Sequence, residues 1–363
     1  MFAATNLQLL RDTLDVPVTA ASISRTPLAS TVPVPTTRNK LGTALANMQG
    51  LCGTLSSEGV HFVRGLLLRE RPSLIWLDSS ILGRLIPLIR ALLPQTRIVC
   101  AFQNVEADLI RQRLAAMQMH YLPALYATRI NEGYSARESD LTLALHATDA
   151  TRIARLYQRP VDELFPIIVP DRIAQRSDQV DSSHDGRPYV LFVGSGTPPN
   201  IEALEFMARH IAPAVRGFRL VAVGSGLEKV APVLGHPNLQ IQGFVEDLSA
   251  LYRGASAVIA PIFSGGGMKV KIAEALMHGK LVIASPFAAI GYESCGEDAV
   301  RLARAPSEFA SLIDGLSADS YSRAARSSYE SNFSRGSGLQ RVGAIVKALC
   351  PDAPLKPTST VWP

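Results

Sequence analysis

Only four cysteines occur in 363 residues, at Cys52, Cys100, Cys295 and Cys350. None sit in the short pair spacings that tetrahedral metal sites need, so the four read as small apolar core residues. No run approaches the roughly 20 apolar residues that cross a bilayer, and no basic start followed by an apolar stretch and a small-residue cleavage site opens the chain. The longest apolar-rich stretch, Ile81 to Leu93, is interrupted by Arg84, Pro87 and Arg90 and reads as a core helix with a solvated edge. These absences point to a cytoplasmic protein. Dense basic runs are also missing, which argues against a nucleic-acid partner. Lysine is scarce, seven among 36 basic residues, so two lysines close together stand out.

What is present is a folded composition: 47% hydrophobic, 18% charged, mean hydropathy +0.15. The length suggests two domains with a cleft between them. Residues 1 to 180 carry 19 basic against 15 acidic side chains, leaving 17 against 16 for the remainder. The excess charge in the first half suits an anionic partner, such as peripheral contact with a membrane surface.

Short β-branched runs alternate with helical patterns, the signature of parallel α/β architecture. In the first half the expected strands are Ser73 to Leu77, Arg97 to Phe102, Leu141 to Leu145 and Pro166 to Val169. In the second they are Tyr189 to Val193, Arg219 to Val223, Leu239 to Ile241, Ala257 to Pro261 and Leu281 to Ser285. Between these sets the composition turns polar, giving a first Rossmann-like domain at 1–170, a linker at 171–187 and a second Rossmann-like domain at 188–335. A terminal helix at 336–350 is expected to cross back to the first domain, leaving 351–363 as a loose tail. Asn200 is expected to cap a helix bearing Ile201, Leu204, Met207 and Ile211 at helical spacing.

The stretch Pro261 to Ser285 carries the most chemistry. A strand ends, Gly265, Gly266 and Gly267 follow, and a helix begins near Met268. Three glycines let backbone N–H groups approach a ligand closely, and the helix start adds the positive end of its dipole, so an anion is expected there. Lys269 and Lys271 stand in the first turn, where a cation opposes the dipole at about 0.3–1 kcal/mol each. A diphosphate would supply the compensating charge. Glu274 lies on the stripe Gly267, Lys271, Glu274, His278, away from the apolar face Met268, Ile272, Ala275, Leu276. Beside a phosphate cradle, its carboxylate suits the vicinal hydroxyls of a ribose. The plain alternative is an amphipathic helix with a Lys271–Glu274 surface pair, which leaves the triple glycine unexplained.

Together with VLFVGSGTPPNIEALEF, LVAVGSG, IQGFVEDLSALYRGASAVIAPI and GYESCGEDAVRLA, this stretch resembles the donor-binding domain of glycosyltransferases of the group 1 type, family four, which have the GT-B fold. The resemblance covers roughly Tyr189 to Leu316. It implies two Rossmann-like domains facing a cleft. It further implies that Glu274 binds the donor ribose, that the glycine loop, Lys269 and Lys271 face the donor pyrophosphate, that Gly243, Phe244, Val245 and Glu246 approach the nucleobase, and that Gly194 borders the cleft. The implied activity is transfer of a sugar from a nucleotide diphosphate to a glycan or lipid-linked acceptor in polysaccharide assembly, with retention, no metal and no cofactor beyond the donor.

Two departures from the family pattern stand out. Many members carry a glutamate eight residues before the ribose-binding one, where this chain has Gly266, matching a glycine-rich subset. The segment Gly194 to Asn200 also lacks the cations many members place there. Gly194-Ser195-Gly196 and Gly224-Ser225-Gly226 do not complete a dinucleotide fingerprint and read as tight strand-to-helix turns.

In the first half, Phe102-Gln103-Asn104-Val105-Glu106 follows a strand and resembles a family motif with His at the position of Gln103. Gln103, Asn104 and Glu106 are the candidate catalytic residues, though glutamine cannot act as a general base, and Asn104 could equally cap a helix. Asp78 and Ser79 face the cleft or cap a helix. His120 and His146 read as ordinary histidines. Arg111, Arg113, Arg129 and Arg137 form a solvated face or hold an anionic lipid-linked acceptor. Family members open with a strand and a glycine loop; here Phe2 to Leu14 already reads as the following helix and Val16 to Ile23 as the second strand. Two alternatives to a transferase are a degenerate relative that only binds a nucleotide sugar or a partner, and a sugar-nucleotide epimerase, which would need further catalytic carboxylates and histidines.

Overall fold

The computed structural model describes residues 2–171, 173, 187–317 and 321–357, so most of the expected linker at 171–187 and the end of the expected tail lie outside the described residues. The chain forms two compact units, one of residues 1–166 with 339–363, the other of 167–338.

In the first unit β1 (Ala21–Ser22) pairs in parallel with β2 (Val32–Pro33). A separate four-stranded parallel sheet runs in the order β3 (Leu74–Leu77), β4 (Arg97–Phe102), β5 (Leu141–Ala144), β6 (Glu163–Leu164). Ile98, Cys100 and Phe102 of β4 join Leu55, Leu67, Ile86 and Ile89 in one core, while Val99 and Ala101 are buried on the opposite face. Covered on both faces, β4 reads as a continuous apolar run rather than an alternating one. The apolar stretch Ile81 to Leu93 divides into a 3-10 helix at Ser80–Leu85 and an α-helix at Ile86–Leu92, because Pro87 fits only a first turn.

Two strand expectations need correction here. Pro166–Val169 forms no strand: the ladder partner of β5 is Glu163–Leu164, and because β5 ends at Ala144 the pairing stops with the Phe165 amide on the Ala144 carbonyl at 2.8 Å. The expected strand Val16–Ile23 shrinks to Ala21–Ser22, since Pro17 interrupts its donors and its polar residues bury little. Nor are residues 351–357 loose. The Asp15 amide donates to the Pro354 carbonyl at 3.0 Å, and the Lys356 amide to that of Thr13 at 2.9 Å.

The second unit holds a six-stranded parallel sheet in the order β12 (Val300–Leu302), β11 (Val282–Ala284), β10 (Ala257–Ala260), β7 (Tyr189–Val193), β8 (Arg219–Val223), β9 (Leu239–Gln242). Chain order runs outward from β7 to β9 on one side and from β10 to β12 on the other. The direction reverses between β7 and β10, and at such a reversal the loops leaving the two strands diverge and open a crevice. Val190, Leu191, Phe192, Val258, Ile259 and Ala260 are fully buried, so the two strands beneath that crevice form a rigid floor.

Candidate functional site

The loops leaving β7, β8, β9 and β10 meet along one edge of the second unit's sheet. The Gly194 amide donates to the Val223 carbonyl at 3.0 Å, that of Gly196 to Ser225 at 2.8 Å, and that of Gly224 to Gly243 at 3.2 Å. Such backbone contact tolerates no side chains. A Cβ on Gly224 (φ +153) would sit 1.8 Å from the Gly194 carbonyl oxygen, and one on Gly196 would sit 3.1 Å from Gly226. The Ser-Gly pairs are thus tight turns, as the plain reading expects, and their glycines also let neighbouring loops touch.

The glycine loop after β10 closes the other side of the crevice. Gly265 (φ +101) and Gly267 (φ +62) adopt the left-handed region that L side chains resist. Gly265 lies against Pro199, at 3.4 Å for an added Cβ, and Ser264 Oγ donates to Glu202 Oε2 at 2.7 Å. The helix that follows spans Val270–Met277, with Lys269 as its N-cap residue. The two lysines therefore meet the dipole differently from the expectation that both sit in the first turn. Lys269 stands outside the helix, and its Nζ donates to the carbonyls of Gly266 at 3.1 Å and Gly267 at 2.8 Å, below the Phe287 ring at 4.8 Å. Lys271 points into the crevice from the first turn. Its Nζ donates to Asn200 Oδ1 at 2.8 Å and lies 4.2 Å from the centroid of the Phe192 ring. Desolvation, then the charge of Lys269, pull its pKa down to about 7, opposed by Glu274.

Asn200 is not a helix cap. The helix Pro198–Phe206 starts two residues earlier, with Thr197 at the cap and Pro198 at its first position. Asn200 instead joins the two halves of the crevice. Its Nδ2 donates to the Ser195 carbonyl at 2.8 Å and to Thr197 Oγ1 at 3.0 Å, while its Oδ1 receives Lys271. Sequence reasoning missed this role because the two residues lie 71 positions apart.

Glu274 lies one turn beyond Lys271, half-buried, and its Oε2 accepts from the Tyr252 hydroxyl at 3.3 Å. The expected outward stripe holds only in part. His278, its last member, is buried with its ring stacked on Tyr252 at 4.7 Å and 7°. Burial chiefly lowers the His278 pKa to about 4, so the ring is neutral at neutral pH. Beyond β9, Gly243 packs against Glu228, Phe244 is 74% exposed, and Val245 is half-buried.

In the first unit, Gln103 leaves the end of β4 and donates through Nε2 to the Asp78 carbonyl at 2.9 Å and to Asp78 Oδ2 at 3.3 Å. Asn6 Nδ2 donates to Asp78 Oδ1 at 2.6 Å. Burial raises the Asp78 pKa against these hydrogen bonds. Asp78 therefore anchors the motif, and Ser79 makes no side-chain cap. Asn104 does not cap a helix either: its Nδ2 donates to Glu106 Oε1 at 3.2 Å. The cap comes from Glu132, fully buried on the helix Leu122–Glu138, which accepts the amides of Glu106 at 2.8 Å and Ala107 at 3.3 Å and the Tyr157 hydroxyl at 2.5 Å. Desolvation raises the Glu132 pKa to about 7 despite these donors. Sequence reading passed over Glu132 because nothing in a helical pattern reveals a partner 26 residues away. His146 caps its helix by accepting the Asp149 amide at 3.2 Å, and His120 packs on Tyr121 at 4.4 Å.

Gly194, Gly243, Gly265, Gly266, Gly267, Lys269, Lys271 and Glu274 thus share one loop edge of the second unit's sheet and the start of the helix Val270–Met277. Gln103, Asn104 and Glu106 lie at the corresponding edge in the first.

Residues 187–319 match the family described as Glycosyl transferases group 1. No curated protein sequence matches the chain. Solved structures resemble it more broadly. Anabaena HepE in complex with UDP-glucose is 14% identical, covers 80% of this chain and 82% of its own, and superposes with TM-score 0.59. A glycosyltransferase from Rickettsia africae ESF-5 is 14% identical over 89% of this chain and 86% of its own, with TM-score 0.61. WaaG, a glycosyltransferase involved in lipopolysaccharide biosynthesis, is 14% identical over 94% and 90%, with TM-score 0.57. At such identities the likeness establishes the fold, which is GT-B.

Proposed function

We propose that this GT-B chain, with its glycosyl transferases group 1 match over 187–319, moves a sugar from a nucleotide-diphosphate donor to a glycan or lipid-linked acceptor in polysaccharide biosynthesis. The observation that carries the reading is Lys271, a desolvated ammonium at the sheet's reversal point, beside a glycine loop with left-handed backbone at Gly265 and Gly267. Burying a cation there is unfavourable until an anion arrives. A diphosphate would take Lys271, Lys269 and loop amides as partners, and Glu274 would accept the ribose hydroxyls. Phe244 and Val245 would border the base.

In the transfer, the bond between the anomeric carbon and the diphosphate oxygen breaks. The acceptor oxygen bonds to that carbon on the same face, and the acceptor's proton goes to the departing diphosphate. Retention and independence of metal follow the resemblance. The two lysines would stabilise the charge that develops on the leaving group. Gln103, Asn104 and Glu106 would position the acceptor, Gln103 through its amide rather than as a base. The HepE structure holds UDP-glucose, which makes a uridine diphosphate sugar the first donor to test. The assay is release of UDP from UDP-glucose, with and without a lipid-linked acceptor fraction. Turnover lost in Lys271→Ala supports a transferase. Binding of the donor without turnover under any acceptor supports the second reading, a non-catalytic nucleotide-sugar protein, which the locking of Gln103 onto Asp78 favours.

Contact with an anionic membrane surface is part of the proposal. No helix among the described residues is long and apolar enough to cross a bilayer, so contact would be peripheral. Its support is an exposed apolar set on two helices that pack together, Lys40–Met48 and Leu122–Glu138 with the turn before it. Leu41, Met48 and Met117 are 70%, 65% and 82% exposed. Residues 38–50 and 112–131 contain Arg38, Lys40, Arg113 and Arg129 and no Asp or Glu, which suits anionic headgroups, while Arg111 is paired with Asp108 at 3.0 Å.

A further inference from the structure

Glu274 is held by a residue from outside its own helix. Tyr252 sits on the helix Ser249–Gly254 just before β10, and Glu274 on the helix Val270–Met277 just after it, so their contact latches the two helices flanking that strand. The ring of Tyr252 is 2% exposed and stacks flat on His278, the residue one turn beyond Glu274. A stacked, buried ring leaves the hydroxyl one direction to point, toward Glu274 Oε2 at 3.3 Å. Both partners keep the states the latch needs. Burial and the nearby Glu274 charge hold the phenol protonated, hence a donor, and His278 is neutral at neutral pH.

We propose that Tyr252 is a positioning residue for nucleotide recognition: its hydroxyl, braced by the His278 ring, orients the Glu274 carboxylate toward the two ribose hydroxyls of a nucleoside diphosphate. This rests on the reading of Glu274 as the ribose-binding group. A carboxylate held in one rotamer by a neutral donor meets a vicinal diol in a fixed orientation, whereas an unheld one samples rotamers that miss it. Tyr252 touches no substrate and acts through Glu274.

The test is calorimetric binding of UDP and of 2′,3′-dideoxy-UDP to the full chain, in wild type, Glu274→Ala and Tyr252→Phe. The ratio of the two affinities isolates recognition of the hydroxyls from general weakening. The expected result is a clear preference for UDP in wild type, no preference in Glu274→Ala, and a preference reduced about three- to tenfold in Tyr252→Phe. A full preference in Tyr252→Phe, alongside its loss in Glu274→Ala, overturns this inference and leaves the ribose reading intact. Equal binding of the two nucleotides by wild type overturns both. Tyr252→Phe keeps the ring and its volume; should it fail to fold, His278→Leu removes the brace and must lower the same ratio, and an unchanged ratio there overturns the inference equally.

Discussion

Raising the pH should weaken diphosphate binding through Lys271 and make binding take up a proton. In the ligand-free site desolvation and Lys269 bring the Lys271 pKa to about 7. A bound diphosphate favours the charged form and returns the pKa toward the ordinary lysine value of about 10.4. The complex therefore holds a proton on Lys271 that the free site has lost above pH 7. At pH 8 only about one-tenth of free sites are charged, so binding draws about 0.9 proton from the buffer. Between pH 7 and pH 9 the charged fraction falls from about one-half to about one-hundredth, so affinity should drop about 50-fold. Terminal phosphates ionise near pH 6 and contribute little in this window. Calorimetry with UDP at pH 8 in buffers of different ionisation enthalpy reads the proton count as a slope. Lys271→Arg keeps a permanent charge and should show a slope near zero with a shallow pH profile. A zero slope in wild type, or an undiminished slope in Lys271→Arg, would show that Lys271 does not take up a proton on binding.

Other outcomes follow from the same structure. The folded-state pKa of Glu132 is raised from 4.5 to about 7, so its contribution to stability is fully present below pH 4.5 and lost as the pH rises through 7, by up to about 3 kcal/mol. Thermal melts of Glu132→Gln minus wild type should therefore shift in the variant's favour between pH 5 and pH 8, and a constant difference would contradict this. Gly224→Ala forces a Cβ onto the Gly194 carbonyl at φ +153, so it should cost about 2 kcal/mol or more and lower the melting temperature. Vesicles containing anionic phosphatidylglycerol should co-sediment the protein more than neutral phosphatidylcholine does. Met117→Asp with Leu41→Asp, at the two most exposed residues of the apolar set described above, should abolish that difference while leaving UDP affinity unchanged.

The interior strands were legible because buried parallel strands read as uninterrupted apolar runs. Tyr189–Val193, Arg219–Val223 and Arg97–Phe102 stand in the structure with the bounds their residues suggest. Edge elements were not. β12 is three residues long with Arg301 at its centre, and Glu163–Leu164 is exposed and short, so neither carries a core signal. At the site, the glycine loop and the order lysine, lysine, glutamate were local in sequence and could be read from spacing. The partners that set their chemistry were not local. Asn200 receives Lys271 from 71 residues away, Tyr252 reaches Glu274 across an intervening strand, and Glu132 caps a helix that begins 26 residues before it. Each of these is a polar contact made by the fold, and no periodicity announces it.

On the reading proposed above, the second unit binds a nucleotide diphosphate through Lys271 and Glu274. Calorimetric titration of UDP and GDP into wild type, Lys271→Ala and Glu274→Ala tests it most directly. Wild type should bind at least one nucleotide saturably, and each variant should bind it about tenfold or more weakly; equal affinity in all three proteins would rule this site out.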